Sequence, residues 1–223
     1  MSAIIATKLA KKYGSGEAAV SAIRDISFHI DSGEFVSIMG ESGAGKSTLL
    51  SIMGAMNAPT SGTFVVDDMN VYELSAEQRA DFRREFLGFV FQSFHLVPYL
   101  TVEENVMLPL TVTPKSKAEK HALTADALSW VGLGDKGKRL PNQISGGEKE
   151  RVAVARAIVN EPPVLLADEP TGNLDTKTTH EIMGLLQRLN DDGMTIIMVT
   201  HSRECSQYAK RLLHVSDGLL CET

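Results

Sequence analysis

The stretch Gly40-Glu-Ser-Gly-Ala-Gly-Lys-Ser-Thr48 decides the fold. It follows the apolar run Glu34-Phe-Val-Ser-Ile-Met39 and leads into Lys46-Ser-Thr-Leu-Leu50, so a strand reads into a glycine-rich loop and then into a helix. Gly40 to Ser47 fit the pattern GxxxxGK[ST]. Glycines at 40, 43 and 45 let the backbone bend without side chains in the way, so amide N–H groups and the positive helix end converge on phosphate oxygens. Gly40, Glu41, Ser42, Gly43, Ala44, Gly45, Lys46, Ser47 and Thr48 together form a candidate nucleotide-binding loop. Lys46 would reach the β and γ phosphates and the Ser47 hydroxyl would coordinate Mg²⁺. Alone, the motif implies a bound nucleoside triphosphate and an α/β core.

Before this loop, residues 3–8 and roughly 19–30 show short alternating runs, separated by Lys11-Lys-Tyr-Gly-Ser-Gly16, and predict an antiparallel β flank with a turn between. Tyr13 lies in that turn, where its ring could stack on a base or simply pack beside the glycines. After the loop, a helix over about 46–53 stops at Gly54, Thr63–Val66 read as a strand, and Ser75-Ala-Glu-Gln78 is a capping box opening a helix to about 86. Gly88–Gln92 read as a buried strand. Gln92, at its carboxyl end, is placed either to meet a ligand or to bond nearby backbone. Residues 93–112 mix aromatic and aliphatic residues with prolines and show no clean period, which fits a packed segment or an exposed apolar surface equally. A helix is expected over about 116–131, with Trp130 in the core.

Ile144-Ser-Gly-Gly-Glu148 then leads into a helix whose apolar face is Val152, Ala155 and Val159. Ser145, Gly146 and Gly147 at that start repeat the phosphate-binding logic, and also suit a plain serine cap with a glycine turn. Pro163-Val-Leu-Leu-Ala-Asp-Glu169 reads as a buried parallel strand ending on two carboxylates. Strand alternation sends Asp168 and Glu169 different ways, one to a metal and one to water. Asp175 suits the N-cap of a helix over about 177–190. Met194–Thr200 is a further buried strand, ending on His201 at the same sheet edge as Gln92 and Asp168. A short helix at 203–208 and a hairpin over 211–220, turning at Asp217-Gly218, close the chain.

The bulk properties narrow the function. Among 223 residues, 28 acidic groups against 22 basic ones give a net charge of −6, which does not suggest a nucleic-acid partner. Cys205 and Cys221 show neither metal spacing nor a disulfide framework, as in a reducing compartment. The apolar runs are strand length, and the N-terminus does not read as a signal peptide. A cytosolic chain is expected, with any membrane role exercised through a partner.

With these pieces in order, the sequence closely resembles the ATP-binding-cassette (ABC) ATPases over about residues 3–218. Gly40 to Ser47 are similar to their Walker A loop, Val164 to Asp168 to Walker B, and Ile144 to Glu148 to the signature motif. Gln92, Asn173 to Asp175 and His201 match the Q, D and H loops. LGFVFQSFHL, ENVMLPL and ADEPTGNLD resemble the branch holding the lipoprotein-release, macrolide-export and cell-division ATPases (LolD, MacB and FtsE). The resemblance implies a single P-loop NTPase (RecA-like) domain over 1–223, with a mostly parallel sheet and antiparallel β flank in 1–92 and 159–223 and an inserted α-helical subdomain in 93–158.

It also implies roles. Tyr13 would stack on adenine, Ser47 and Asp168 would hold Mg²⁺, Gln92 would sense metal and attacking water, Glu169 would be the general base, and His201 would hold the γ-phosphate. Ser145, Gly146, Gly147 and Glu148 would face the nucleotide of a second copy in a head-to-tail homodimer, with Asp175 along the interface. Glu148 and Ile144 depart from the commonest signature, which has glutamine and leucine there. The segment 94–110 would receive a short helix of an integral membrane permease, holding the chain on the cytoplasmic face of the cell membrane. The function implied is ATP hydrolysis driving export, lipoprotein extraction or transmembrane signalling. Two competitors are a soluble ABC ATPase acting on nucleic acid or ribosomes, which usually shows coiled-coil insertions or tandem cassettes absent here, and a P-loop kinase or GTPase, which leaves Ile144–Glu148 and His201 without a role.

Overall fold

The computed structural model describes residues 3–16 and 19–222. In chain order the strands are β1 Ile4–Tyr13, β2 Val20–Ile30, β3 Phe35–Met39, β4 Ser61–Val66, β5 Met69–Asn70, β6 Leu87–Phe91, β7 Val164–Asp168, β8 Thr195–Val199, β9 Arg211–Ser216 and β10 Leu219–Glu222. The helices are α1 Lys46–Met53, α2 Ala76–Phe86, α3 Val102–Met107, α4 Lys117–Trp130, α5 Gly146–Ile158, α6 Thr176–Asp191 and α7 Arg203–Ser206. One sheet is antiparallel, in the order β2-β1-β4-β5; the other runs β10-β9-β3-β8-β7-β6, parallel from β9 to β6 with β10 antiparallel at its edge.

Alternation along the parallel strands feeds two cores. Val36, Ile38, Val164, Leu166, Ile197 and Val199 face the antiparallel sheet and α1, where Ile4, Leu9, Ile26, Leu49, Ile52 and Phe64 complete one cluster. Phe35, Leu165, Ala167, Ile196 and Met198 face the other way, onto Val102, Val106, Leu128, Val152, Val154, Met183 and Leu186 of the helices. Burial on both faces is why these strands read as continuous apolar runs. Their carboxyl ends, at Met39, Asp168 and Val199, lie along one edge.

The expected elements form, with four differences. β1 runs through Lys11 and Lys12 to Tyr13, because Lys11, Lys12 and Tyr13 pair with Ile23, Ser21 and Val20; the tyrosine therefore ends a strand rather than sitting in the turn. The aperiodic segment contains α3, opened by a capping box of Thr101 and Glu104, and then a 3-10 turn over Leu108–Val112. Val102, Val106 and Leu110 are fully buried, whereas Tyr99 is 80% exposed, so the segment is partly packed and partly surface. Buried Asn105 organises its irregular start: Oδ1 accepts from Val97 N at 2.7 Å while Nδ2 reaches the Val97, Leu100 and Thr101 carbonyls. The short helix α7 stops at Ser206, and Trp130 is half-buried with the Arg188 guanidinium 4.6 Å over its ring.

Candidate functional site

The glycine loop joins β3 to α1, and two of its glycines are required by close approach. A Cβ on Gly40 would overlap the Val215 carbonyl, and one on Gly45 the Ala22 carbonyl; Gly45 also has φ +104 as the N-cap of α1. The loop is thereby pressed between β2 and β9, with no room for larger residues. Lys46 Nζ folds back over it and donates to the Gly40 and Glu41 carbonyls, each at 2.8 Å.

A cleft of about 350 Å³ opens beside this loop. Ser42, Gly43, Gly45, Lys46, Ser47 and Thr48 line it from below, Ala22 of β2 from one side, and Asp168, Glu169, Val199 and His201 from the carboxyl ends of β7 and β8. Burial and then the neighbouring Glu169 carboxylate push Asp168 above the usual carboxylate range, against a hydrogen bond from Ser47 and the charge of Lys46. Glu169 directly follows β7: its φ is +49 and its N–H donates to Val199 O at 2.9 Å. This left-handed turn, not strand alternation, sets the glutamate apart from Asp168, and both carboxylates line the same cleft. Glu169 Oε1 meets His201 Nδ1 at 2.9 Å, and Oε2 accepts from Thr200 Oγ1 at 3.2 Å.

Other expected residues stand outside the lining. Gln92 follows β6; its side chain lies against Gly172 and its carbonyl accepts from Asn173 Nδ2 at 2.9 Å. Tyr13 is 44% exposed, bonded through its hydroxyl to Asn57 Nδ2, with Lys11 Nζ 5.2 Å from its ring centroid. Ser145 N-caps α5 in a reciprocal box: its Oγ accepts from Glu148 N, and the Glu148 carboxylate accepts from Ser145 N at 2.8 Å. That bond, ahead of the lesser pull of Lys136 at 3.5 Å, holds Glu148 below the usual carboxylate range. The unusual glutamate is thus occupied locally. Asp175 N-caps α6 through Thr178 N and Oγ1. Sequence reasoning did not single out Thr200 or Ala22; a threonine closing a buried strand was the available signal for the former.

Residues 23–172 match the ABC transporter family. This chain is an ABC transporter ATPase cassette. It is 45% identical over 212 residues to the uncharacterized ABC transporter ATP-binding protein MJ1508 of Methanocaldococcus jannaschii, covering 95% of each chain. It is 41% identical over 219 residues to the macrolide export ATP-binding/permease protein MacB of Rhodopseudomonas palustris, covering 98% of this chain and 33% of that protein. The cassette thus spans about a third of such ATP-binding/permease fusions. Among solved structures, the cassette MJ0796 in a dimeric post-hydrolysis state with ADP and phosphate superimposes with a TM-score of 0.89 at 40% identity, covering 97% of this chain and 96% of that one. The cassette binds and hydrolyses ATP in the service of transport, and its MacB relatives are consistent with the branch of lipoprotein-release, macrolide-export and cell-division ATPases that its sequence resembles. No helix among the described residues is long and apolar enough to cross a membrane.

Proposed function

We propose that two copies of this cassette close head to tail around two ATP molecules and drive a separate membrane subunit. The observation that carries this reading is a division of labour within the chain. Lys46, Ser47, Asp168, Glu169 and His201 share one cleft, while Ser145, Gly146 and Gly147 are absent from its described lining. Because the Ser145 hydroxyl oxygen accepts from Glu148 N, its proton is left to donate elsewhere. Among the described residues a Cβ on Gly146 would touch only Leu174 Cδ2, at 3.9 Å, so none of them demands glycine there. A phosphate brought by a second copy would. That the similar cassette MJ0796 is dimeric supports the pairing of two copies.

In the proposed site Lys46 and the loop amides hold the phosphates, and Tyr13 stacks on the base. Glu169, held by His201 and Thr200, accepts the proton of the attacking water; His201 and Gln92 orient the γ-phosphate and that water, and Asp175 follows the interface. Phosphoryl transfer asks mainly for such positioning and charge neutralisation. The Ser47 hydroxyl and Asp168 carboxylate, hydrogen-bonded to each other, are the hard oxygen donors that suit Mg²⁺ alongside phosphates, and bound Mg²⁺ would neutralise phosphate charge. Its positive charge would also offset the cost that burial places on the Asp168 carboxylate.

A groove of about 470 Å³ between β6, α2 and the 3-10 turn is the proposed seat of the membrane subunit's helix. From the segment 94–110 it takes only His95 and Pro109; Phe89, Phe91, Val112, Arg83 and Arg156 supply much of the rest. This would place the cassette on the cytoplasmic face of the membrane, with no nucleic-acid partner. The test is a photo-reactive residue at Val112, which is 69% exposed, in cells bearing the native operon. Cross-linking to a multi-spanning protein supports the reading; cross-links confined to ribosomal or DNA-bound proteins overturn the transport arm and leave the ATPase chemistry.

A further inference from the structure

Helix α5 carries Ser145 and Glu148 at its start and Arg156 near its end. The Arg156 guanidinium forks onto two consecutive carbonyls, Nη2 to Phe94 O and Nη1 to His95 O, each at 2.6 Å. Those carbonyls belong to a turn with two successive left-handed residues, Phe94 at φ +58 and His95 at φ +46. L-residues with full side chains disfavour that conformation, and a pair of them persists only where the surroundings hold them. The left-handed pair begins two residues after Gln92, and Phe94 N donates to Phe91 O at 3.0 Å, closing a turn with Gln92 and Ser93 at its middle. The His95 ring stands edge-on to Phe91 at 5.1 Å.

We infer that Arg156 is a positioning residue: its forked grip on Phe94 O and His95 O holds the strained turn that sets Gln92, and so ties the placement of Gln92 to that of the signature helix. Any shift of α5 that moves Ser145 also moves the guanidinium, because both are fixed to one short helix. The turn must follow or relax, and Gln92 is displaced from Gly172 and Asn173 in either case. A planar guanidinium is suited to this, since it presents parallel N–H donors at fixed spacing, which an ammonium does not. The same Arg156 and His95 line the groove described above, so a segment seated there meets the clamp itself. The inference rests on the role proposed for Gln92.

The experiment is a double-mutant cycle on steady-state ATP hydrolysis by the full chain, with thermal melts as a check on folding. Arg156→Gln is combined with Phe94→Gly/His95→Gly, because glycine takes the left-handed conformation freely and removes the need for a latch. Arg156→Gln is expected to lower kcat about tenfold with KM for Mg-ATP within twofold, and Arg156→Lys to recover only part of it. In the glycine background the loss should shrink to threefold or less. An equal loss in both backgrounds, or a rise in KM at constant kcat, overturns the inference. Gln92→Ala separates the premises: unchanged turnover there removes the role of Gln92, whereas lowered turnover with additive Arg156 and glycine effects removes that of Arg156. If Arg156→Gln does not fold, Arg156→Lys against the same glycine pair gives the same comparison.

Discussion

Glu169 Oε1 lies 2.9 Å from His201 Nδ1, and the other carboxylate oxygen accepts from Thr200 Oγ1 at 3.2 Å, so the end of β8 holds both oxygens of the glutamate that closes β7. A base so held is aimed before the phosphates arrive. Its neutral isostere keeps the size and the partner at Oε1 but cannot take a proton. Glu169→Gln is expected to lower turnover by roughly 10²–10⁴-fold while ATP binding persists. With hydrolysis blocked, the ATP-bound dimer should accumulate, read by size-exclusion chromatography with saturating Mg-ATP. A variant that stays monomeric under those conditions sinks the head-to-tail proposal.

The capping box at α5 makes a contrast between two neighbours. Ser145→Ala removes the side-chain acceptor for Glu148 N and should cost about 1 kcal/mol of stability. It should also abolish most turnover, if that hydroxyl donates to the other copy's nucleotide. Glu148→Gln keeps an acceptor for Ser145 N and loses mainly a long ion pair with Lys136, 3.5 Å apart at the rim of the surface and worth about 0–1 kcal/mol. Activity within about threefold of the parent is therefore expected, since turnover is not assigned to that charge. Malachite-green phosphate release and chemical denaturation of both variants check this; a dead Glu148→Gln would mean the carboxylate itself is used.

Gly147 has a packing duty that Gly146 lacks. A Cβ there would overlap Thr178 Cγ2, and the Thr178 side chain cannot rotate away without losing its Oγ1 bond to Asp175 Oδ2. Gly147→Ala should destabilise the chain by about 1–3 kcal/mol, as overpacking does. Thr178→Ser deletes the offending methyl and keeps the hydroxyl, so the double variant should regain most of the stability. Activity is a separate readout: recovered stability with turnover still lost would show Gly147 serving the nucleotide as well as the α5–α6 contact, and recovery of both would leave packing as its whole role.

Legibility followed how local each cause was. The cleft could be read because Asp168, Glu169 and His201 each follow a buried apolar run, and parallel strands bring such ends to one edge. Helices α2, α5 and α6 announced themselves by caps at Ser75, Ser145 and Asp175, α1 by the glycine loop before it and α4 by its apolar face. Helix α3 has a cap too, but only six residues follow it, too few for a period, and the loop before it is shaped by Asn105 through bonds that no spacing rule foresees. Tyr13 was misplaced because strand β1 continues through lysines that pair with β2 while exposing their charges. The separation of Glu169 from Asp168 depends on one backbone torsion, φ +49, and composition carries no sign of it.

Glu150 connects this fold to pH. It sits on α5 with no exposed surface, and neither carboxylate oxygen has a hydrogen-bond partner among the described residues. Burial pushes it up to about 8 from 4.5, against the lowering pull of Arg156. Between those two values the unfolded chain ionises while the folded chain keeps its proton, so the unfolded state binds fewer protons and stability falls as pH rises from about 4.5 to 8. A shift of that size corresponds to an effect on the order of a few kcal/mol. Glu150→Gln removes the titration and keeps the shape. The variant should therefore differ little from the parent at the acid end of that range and gain on it steadily towards the alkaline end, by several degrees in Tm. Thermal melts of both proteins across the range decide it. A gap that stays constant, or that narrows as pH rises, would mean that Glu150 is ionised in the folded chain, with Arg156 near enough to hold its charge.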